Sequence, residues 1–118
     1  EIMKNQEVNL SKFIENSLRR ICDYLGISTK IEVSSKLNKN NDLSSELRVI
    51  NICKVLNGNI YINPIGGKAL YNRPSFLDQG IELYFLRTVS RNSLSIIDVL
   101  MRYSVENIKN ELSLFELE

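Results

Sequence analysis

An apolar run, Ile60-Tyr61-Ile62, meets Asn63-Pro64 and then Ile65-Gly66-Gly67-Lys68, and this junction constrains the fold more than any other stretch. The run reads as a strand. Proline cannot donate to a ladder and drives its predecessor to extended angles, so the strand is predicted to stop at Asn63-Pro64. Gly66-Gly67 permits positive φ and leaves no Cβ in the way of a ligand. If Lys68-Ala69-Leu70-Tyr71 opens a helical turn, its free N–H groups and the lysine make an anion pocket. A tight strand-to-helix turn, whose glycines only solve a backbone problem, would satisfy the same residues.

The flanking pattern tells what this junction belongs to. Leu10, Phe13, Ile14, Leu18, Ile21, Cys22 and Leu25 recur at steps of three and four, which predicts a helix with one apolar face, closed by Gly26. Arg19 and Arg20 fall off that face and read as solvated. Residues 29–34 alternate as a short strand. Residues 43–56 form a second helix, ended by Asn57-Gly58, whose wide apolar set suggests burial on more than one side. A strand at 59–62 follows, then a short helix carrying Ala69-Leu70-Tyr71. Arg73-Pro74 starts another helix toward Gly80, and residues 81–86 make a third strand. After a loose polar stretch at 87–93, Ser95-Ile96-Ile97-Asp98 resembles a capping box opening a helix through Met101. A last helix from Ser104 carries Val105, Ile108, Leu112 and Phe115.

Strand, helix, strand, helix, strand in this order predicts right-handed parallel crossovers. The expected fold class is α/β: a small three-layer Rossmann-like open sheet, mainly parallel, of about three strands with flanking helices. In such sheets ligands bind outside the carboxyl ends of the strands, where residues 63–68 would lie.

Composition removes several classes of function. At 118 residues, 43% of them hydrophobic, the chain suits a single soluble domain with one core. A formal net charge of +1 gives no global pull toward nucleic acid or anionic lipid, and the Lys12, Arg19, Arg20 patch is too small to argue otherwise. No apolar run approaches a membrane span, and no signal-peptide pattern opens the chain, so the expected location is the cytoplasm. Without histidine, a zinc site or a Ser-His or Cys-His pair is excluded within the chain. Cys22 and Cys53 sit in apolar helical patterns and read as buried free thiols. Neither a metal site nor a cofactor is identifiable.

Among candidate site residues, Asp98 is the carboxylate of interest. It either caps its helix and complements the dipole, or holds a ligand amine and serves as general base. Ser95, in the same turn, is a candidate ligand contact as well as a cap. Lys68 offers a point charge for phosphate or carboxylate, or is simply solvated. The loop is not a P-loop: Ile62 stands where the first glycine would be, and Ala69 replaces the Mg²⁺-binding hydroxyl. Asn63 is a ligand contact or a turn starter, and Tyr71 a stacking platform or a packing aromatic. Glu111, Glu116 and Glu118 read as a solvated acidic end.

In order, Tyr24-Leu25-Gly26-Ile27, Val33-Ser34-Ser35, Ile52-Cys53-Lys54, the Tyr61-to-Lys68 junction, Gly80-Ile81-Glu82-Leu83 and Leu94-Ser95-Ile96-Ile97-Asp98-Val99-Leu100-Met101 resemble the carboxyl-terminal part of the WbqC-like family. That resemblance implies bacterial surface-polysaccharide biosynthesis, of O-antigen or capsule. It implies modification of an amino sugar on a nucleotide-sugar precursor, by acyl or aminoacyl transfer. Asn63, Gly66, Gly67, Lys68, Tyr71 and Ser95 would bind the nucleotide-linked amino sugar, with Asp98 catalytic. The family's opening Gln-Pro and Gly-Tyr-Phe elements do not precede Glu1, and the link from Leu86 to Leu94 is short. The expectation is therefore a single α/β domain that is the carboxyl-terminal part of a longer protein, or one lacking mobile segments near residue 1 and at 87–93. Two alternatives stand beside the enzyme. One is a non-catalytic assembly subunit, working as a homodimer or with a partner; the other is a nucleotide or phosphate sensor.

Overall fold

The computed structural model describes residues 2–43, 45–89 and 94–118. They form five α-helices and one three-stranded sheet, divided between two compact units that each have their own core.

The helical unit contains α1 (Leu10–Leu25), α4 (Ile96–Arg102) and α5 (Val105–Leu112). Each helix starts where a short polar side chain satisfies an orphan amide. Asn9 accepts from the Lys12 N–H, Ser95 from Ile97 and Ser104 from Asn107. At the other end of α1, Gly26 takes φ 68°, and the Ile27 N–H reaches back to the Cys22 carbonyl at 2.8 Å. This closes a Schellman turn, as Gly26 predicts. Ile21, Leu25, Val99 and Ile108 are buried together. The apolar face of α1 is buried only toward its carboxyl end, however: Leu10, Ile14 and Leu18 are exposed and Cys22 is half-buried. The eight residues of α5 span about 12 Å, half the length of α1, so α5 covers only part of that stripe.

The second unit contains α2 (Ser45–Val55), β1 (Ile60–Pro64), α3 (Arg73–Leu77), β2 (Glu82–Thr88) and β3 (Phe115–Leu117). Its strand order is β1-β2-β3. β1 and β2 are parallel, with Ile60 opposite Glu82 and Pro64 opposite Leu86, while β3 runs antiparallel to β2 with Leu117 opposite Leu86. Ile50 and Cys53 of α2, Phe76 of α3 and Ile81, Leu83 and Phe85 form the core. Asn57, at φ 55°, turns the chain out of α2, and the Gly58 N–H returns to the Cys53 carbonyl. Gly80, at φ 74°, does the same after α3, with the Ile81 N–H on the Phe76 carbonyl.

The α/β class stands, but the sheet is mixed and its strands are not all the expected ones. Residues 29–33 form no strand, and Ser34–Lys36 is a 3₁₀ turn. The Ile31 carbonyl is taken by the Arg19 guanidinium on α1, 3.1 Å away, so that acceptor is spent on a helix side chain. Phe115 leaves the last helix and enters β3. Ser113 ends α5 by bonding the Asn110 carbonyl through both its amide and its hydroxyl, and the Leu114 carbonyl then accepts from Val89. Because α2 and α3 lie on the face that carries Leu83 and Phe85, this unit is two-layered. Ile60, Ile62, Phe115 and Leu117, on the other face, are 54%, 45%, 46% and 45% exposed.

Further corrections are local. β1 runs through Asn63 and Pro64 instead of stopping there; it is an edge strand, where a final proline is tolerated. α2 buries Ile50 and Cys53 but leaves Leu47, Val55 and Leu56 exposed, so it is not enclosed on several sides. Of the loose stretch expected at 87–93, Arg87 and Thr88 belong to β2; Glu1 and residues 90–93 lie outside the described residues.

Candidate functional site

The parallel pair β1–β2 delivers two chain segments to one edge of the sheet. β1 ends at Pro64, and the chain turns through a 3₁₀ segment, Ile65–Gly67, without forming the expected helix at Lys68. The Lys68 N–H bonds the Ile65 carbonyl at 3.1 Å and the Leu70 N–H bonds Gly67 at 2.9 Å. Those two amides are spent inside the turn, so neither is free to hold an anion as a helix start would leave it. Neither Gly66 nor Gly67 has positive φ. Gly67 answers a different constraint: a β-carbon there would stand 2.1 Å from Asn63 Oδ1 and 3.4 Å from the Tyr71 ring. Gly66 has open space where a β-carbon would be.

Asn63 is held from behind as well. Its Nδ2 donates to the Tyr61 hydroxyl at 2.7 Å. Tyr61 stacks on Phe76 with centroids 5.6 Å apart and meets Tyr71 edge-on at 6.0 Å; Tyr71 meets Phe76 edge-on too. Aromatic packing thus occupies Tyr71, with part of the residue still accessible. Burial pushes the Tyr61 phenol above the ordinary tyrosine value, against the lowering effect of the Asn63 amide.

Lys68 is not merely solvated. Its Nζ lies 3.0 Å from Glu118 Oε2, while Arg87 reaches Glu118 Oε1 with Nη2 at 2.7 Å and Nε at 3.2 Å. Hydrogen bonds from Arg87 first, and Lys68 second, hold the Glu118 carboxyl below its usual range. Glu118 therefore corrects the reading of the acidic end as a solvated face. Arg87 and Glu118 are also the residues that sequence reasoning missed. Their signal lies in strand order, since Arg87 follows the Leu86–Leu117 pair and Glu118 N–H and C=O bond Phe85 across the same ladder.

Ser95 and Asp98 share the first turn of α4 in the helical unit. Ser95 Oγ accepts from the Ile97 N–H at 3.3 Å, but Asp98 does not complete a capping box with it. Asp98 pairs with Arg102 one turn on: Nε is 3.1 Å from Oδ1 in hydrogen-bond geometry, and 3.0 Å from Oδ2 in a purely electrostatic contact. Oδ2 is shielded from solvent and has no aligned donor among the described residues.

Other features lie apart from these residues. A cleft of about 420 Å³ between α2 and α3 is lined by Glu46, Leu47, Ile50, Lys54, Asp78 and Gln79, among others, and by none of the predicted site residues. Among the described residues, no cluster of three or more Cys, Asp or Glu side chains is placed to hold a metal ion. No helix there is long and apolar enough to cross a membrane.

Comparison with known proteins agrees with the resemblance seen in the sequence. The model of the WbqC-like protein family matches residues 1–110. No curated protein and no solved structure matches the chain. A match over 110 of the 118 residues decides the assignment: the chain belongs to the WbqC-like protein family.

Proposed function

We propose that the chain works in bacterial surface-polysaccharide biosynthesis, of O-antigen or capsule, as a transferase acting on an amino sugar carried by a nucleotide. The reaction is acyl or aminoacyl transfer. The sugar nitrogen attacks the carbonyl carbon of an activated donor, the donor's leaving group departs, and the nitrogen gives up a proton. The observation that carries this reading is the turn at the carboxyl end of the β1–β2 parallel pair, where Gly67 packs closely against Asn63 and Tyr71, and Lys68 follows next in the chain. Ligands of open α/β sheets bind at that edge, and the crossover through α3 supports a Rossmann-like reading of this pair. In this reading the residues of that turn hold the nucleotide sugar; for α4 of the helical unit, the family resemblance implies Ser95 as a ligand contact and Asp98 as the general base. The reading implies a cytoplasmic location, where nucleotide-linked precursors are made.

The test is calorimetric titration of the intact protein with a UDP-linked amino sugar. Binding that weakens in Asn63→Ala, with an unchanged circular dichroism spectrum, supports the proposal. No binding by the wild-type protein overturns it.

A non-catalytic assembly subunit is the second reading, favoured by the exposed apolar sheet face of Ile60, Ile62, Phe115 and Leu117. A solution mass that rises with concentration, without any response to nucleotide, would favour it over the transferase.

A further inference from the structure

Two cations reach the same end of the β1–β2 pair, one from the turn after β1 and one from β2. Lys68 lies four residues beyond Pro64, the last residue of β1; Arg87 follows Leu86, the partner of Pro64 in β2. Both side chains are more than half exposed, yet they do not point apart into water. They converge on one carboxylate and grip its two oxygens separately, Lys68 on Oε2 and Arg87 on Oε1. Such an arrangement of a guanidinium fork and an ammonium suits a group with several oxygens and more than one negative charge. The Glu118 carboxylate brings one negative charge to these two cations.

The geometry points to Lys68 and Arg87 as a binding site for a phosphate or diphosphate group, with the Glu118 carboxylate holding the seat in the free chain. Glu118 is carried by the backbone ladder to Phe85, so its side chain can swing out while the strand stays paired. Glu116 lies opposite Arg87 on β3 and stays nearby. Gly66, two residues before Lys68, has open space where a β-carbon would be. Exposed ion pairs are individually weak, so a dianion displaces this one at modest cost. The inference deepens the reading above, and rests on it only for the natural ligand: the diphosphate of a nucleotide sugar is one source of this chemistry and free phosphate the other.

The experiment is a titration of the intact chain with inorganic pyrophosphate and, separately, with UDP, followed by amide chemical shifts at low ionic strength. Glu118→Gln, which removes the competing charge, should bind pyrophosphate about fivefold more tightly than wild type, as expected for losing one surface ion-pair competitor. Lys68→Gln and Arg87→Gln should each lose most of that binding, with their spectra otherwise unchanged. UDP binding tighter than pyrophosphate assigns the site to a nucleotide, and equal binding assigns it to the phosphate group alone. No binding to Glu118→Gln, or binding indifferent to Lys68→Gln and Arg87→Gln, overturns the site. Nucleotide-sugar binding untouched by those two variants leaves the transferase reading standing without this site. Pyrophosphate binding here, with no nucleotide-sugar binding at all, leaves the site standing without that reading.

Discussion

Gly67 and Asn63 touch so closely that the glycine's missing side chain is part of how the asparagine is held. A β-carbon at position 67 would overlap Asn63 Oδ1 at 2.1 Å and push the amide away from the Tyr61 hydroxyl it donates to. Gly67→Ala is expected to cost about 1–2 kcal/mol, from local overpacking and the loss of a partly buried hydrogen bond. Gly66→Ala should be near neutral, because nothing stands within 4 Å of its β-carbon position. Urea unfolding of the two variants checks this, and equal effects would sink the explanation.

Phe76 is fully buried at the centre of the sheet-bearing unit, while its neighbour Leu77 is 67% exposed. Phe76→Ala should destabilise by about 3–5 kcal/mol, as truncation of a buried aromatic does. Leu77→Ala should stay within about 0.5 kcal/mol. Thermal unfolding that ranks them otherwise would contradict the core described here.

The Arg87 and Lys68 hydrogen bonds lower the folded-state pKa of Glu118, so the sign of its linkage is set. Its stabilisation is present above the unfolded carboxyl pKa and is lost as pH falls through the folded one. The stability difference between wild type and Glu118→Gln should therefore be widest near neutral pH and shrink in acid. Added salt should shrink it too, since the pair is exposed. A difference that grows below the carboxylate range would be inconsistent with the ion pairs.

Asp98 and Arg102 form an i,i+4 pair on α4. Alanine at either position, and at both, should reveal a coupling of about 0.3–0.5 kcal/mol in a double-mutant cycle. If Asp98 also accepts the amine proton, Asp98→Asn should abolish acyl transfer while leaving nucleotide-sugar affinity close to wild type. Loss of stability with full turnover would reduce Asp98 to a helix-end charge.

Cys53 is buried and its thiol is pushed up by desolvation, whereas Cys22 is only partly covered. A thiol-disulfide reagent should modify Cys22 roughly tenfold faster or more, because desolvation suppresses the Cys53 thiolate and burial limits access to it. Peptide mapping after brief labelling identifies which residue reacts.

Much of this was legible in local signals. The steps of three and four from Leu10 to Leu25, the Gly26 stop, and Ser95 and Ser104 at helix starts all rest on neighbours within one turn. The alternation at residues 29–34 misled because a strand needs a partner, and the Ile31 carbonyl found Arg19 instead. Phe115 misled for the converse reason: its helical spacing from Leu112 was outweighed by pairing with Thr88, far back in the chain. The Asn63-to-Tyr71 segment stood out through its glycines, although neither takes positive φ and Gly67 alone of the two answers close packing. Arg87 and Glu118 carried no local mark, since only the antiparallel return of β3 brings them together.

That return also sets an order of events for folding. β1 and β2 are joined through one short crossover, whereas Glu118, just beyond β3, reaches Arg87 across a separation of 31 residues that includes α4 and α5. Closing such a loop carries an entropic cost of about 3 kcal/mol before any contact rewards it. The parallel pair and its aromatic core can assemble first, and the third strand then docks as a late, separately reversible step.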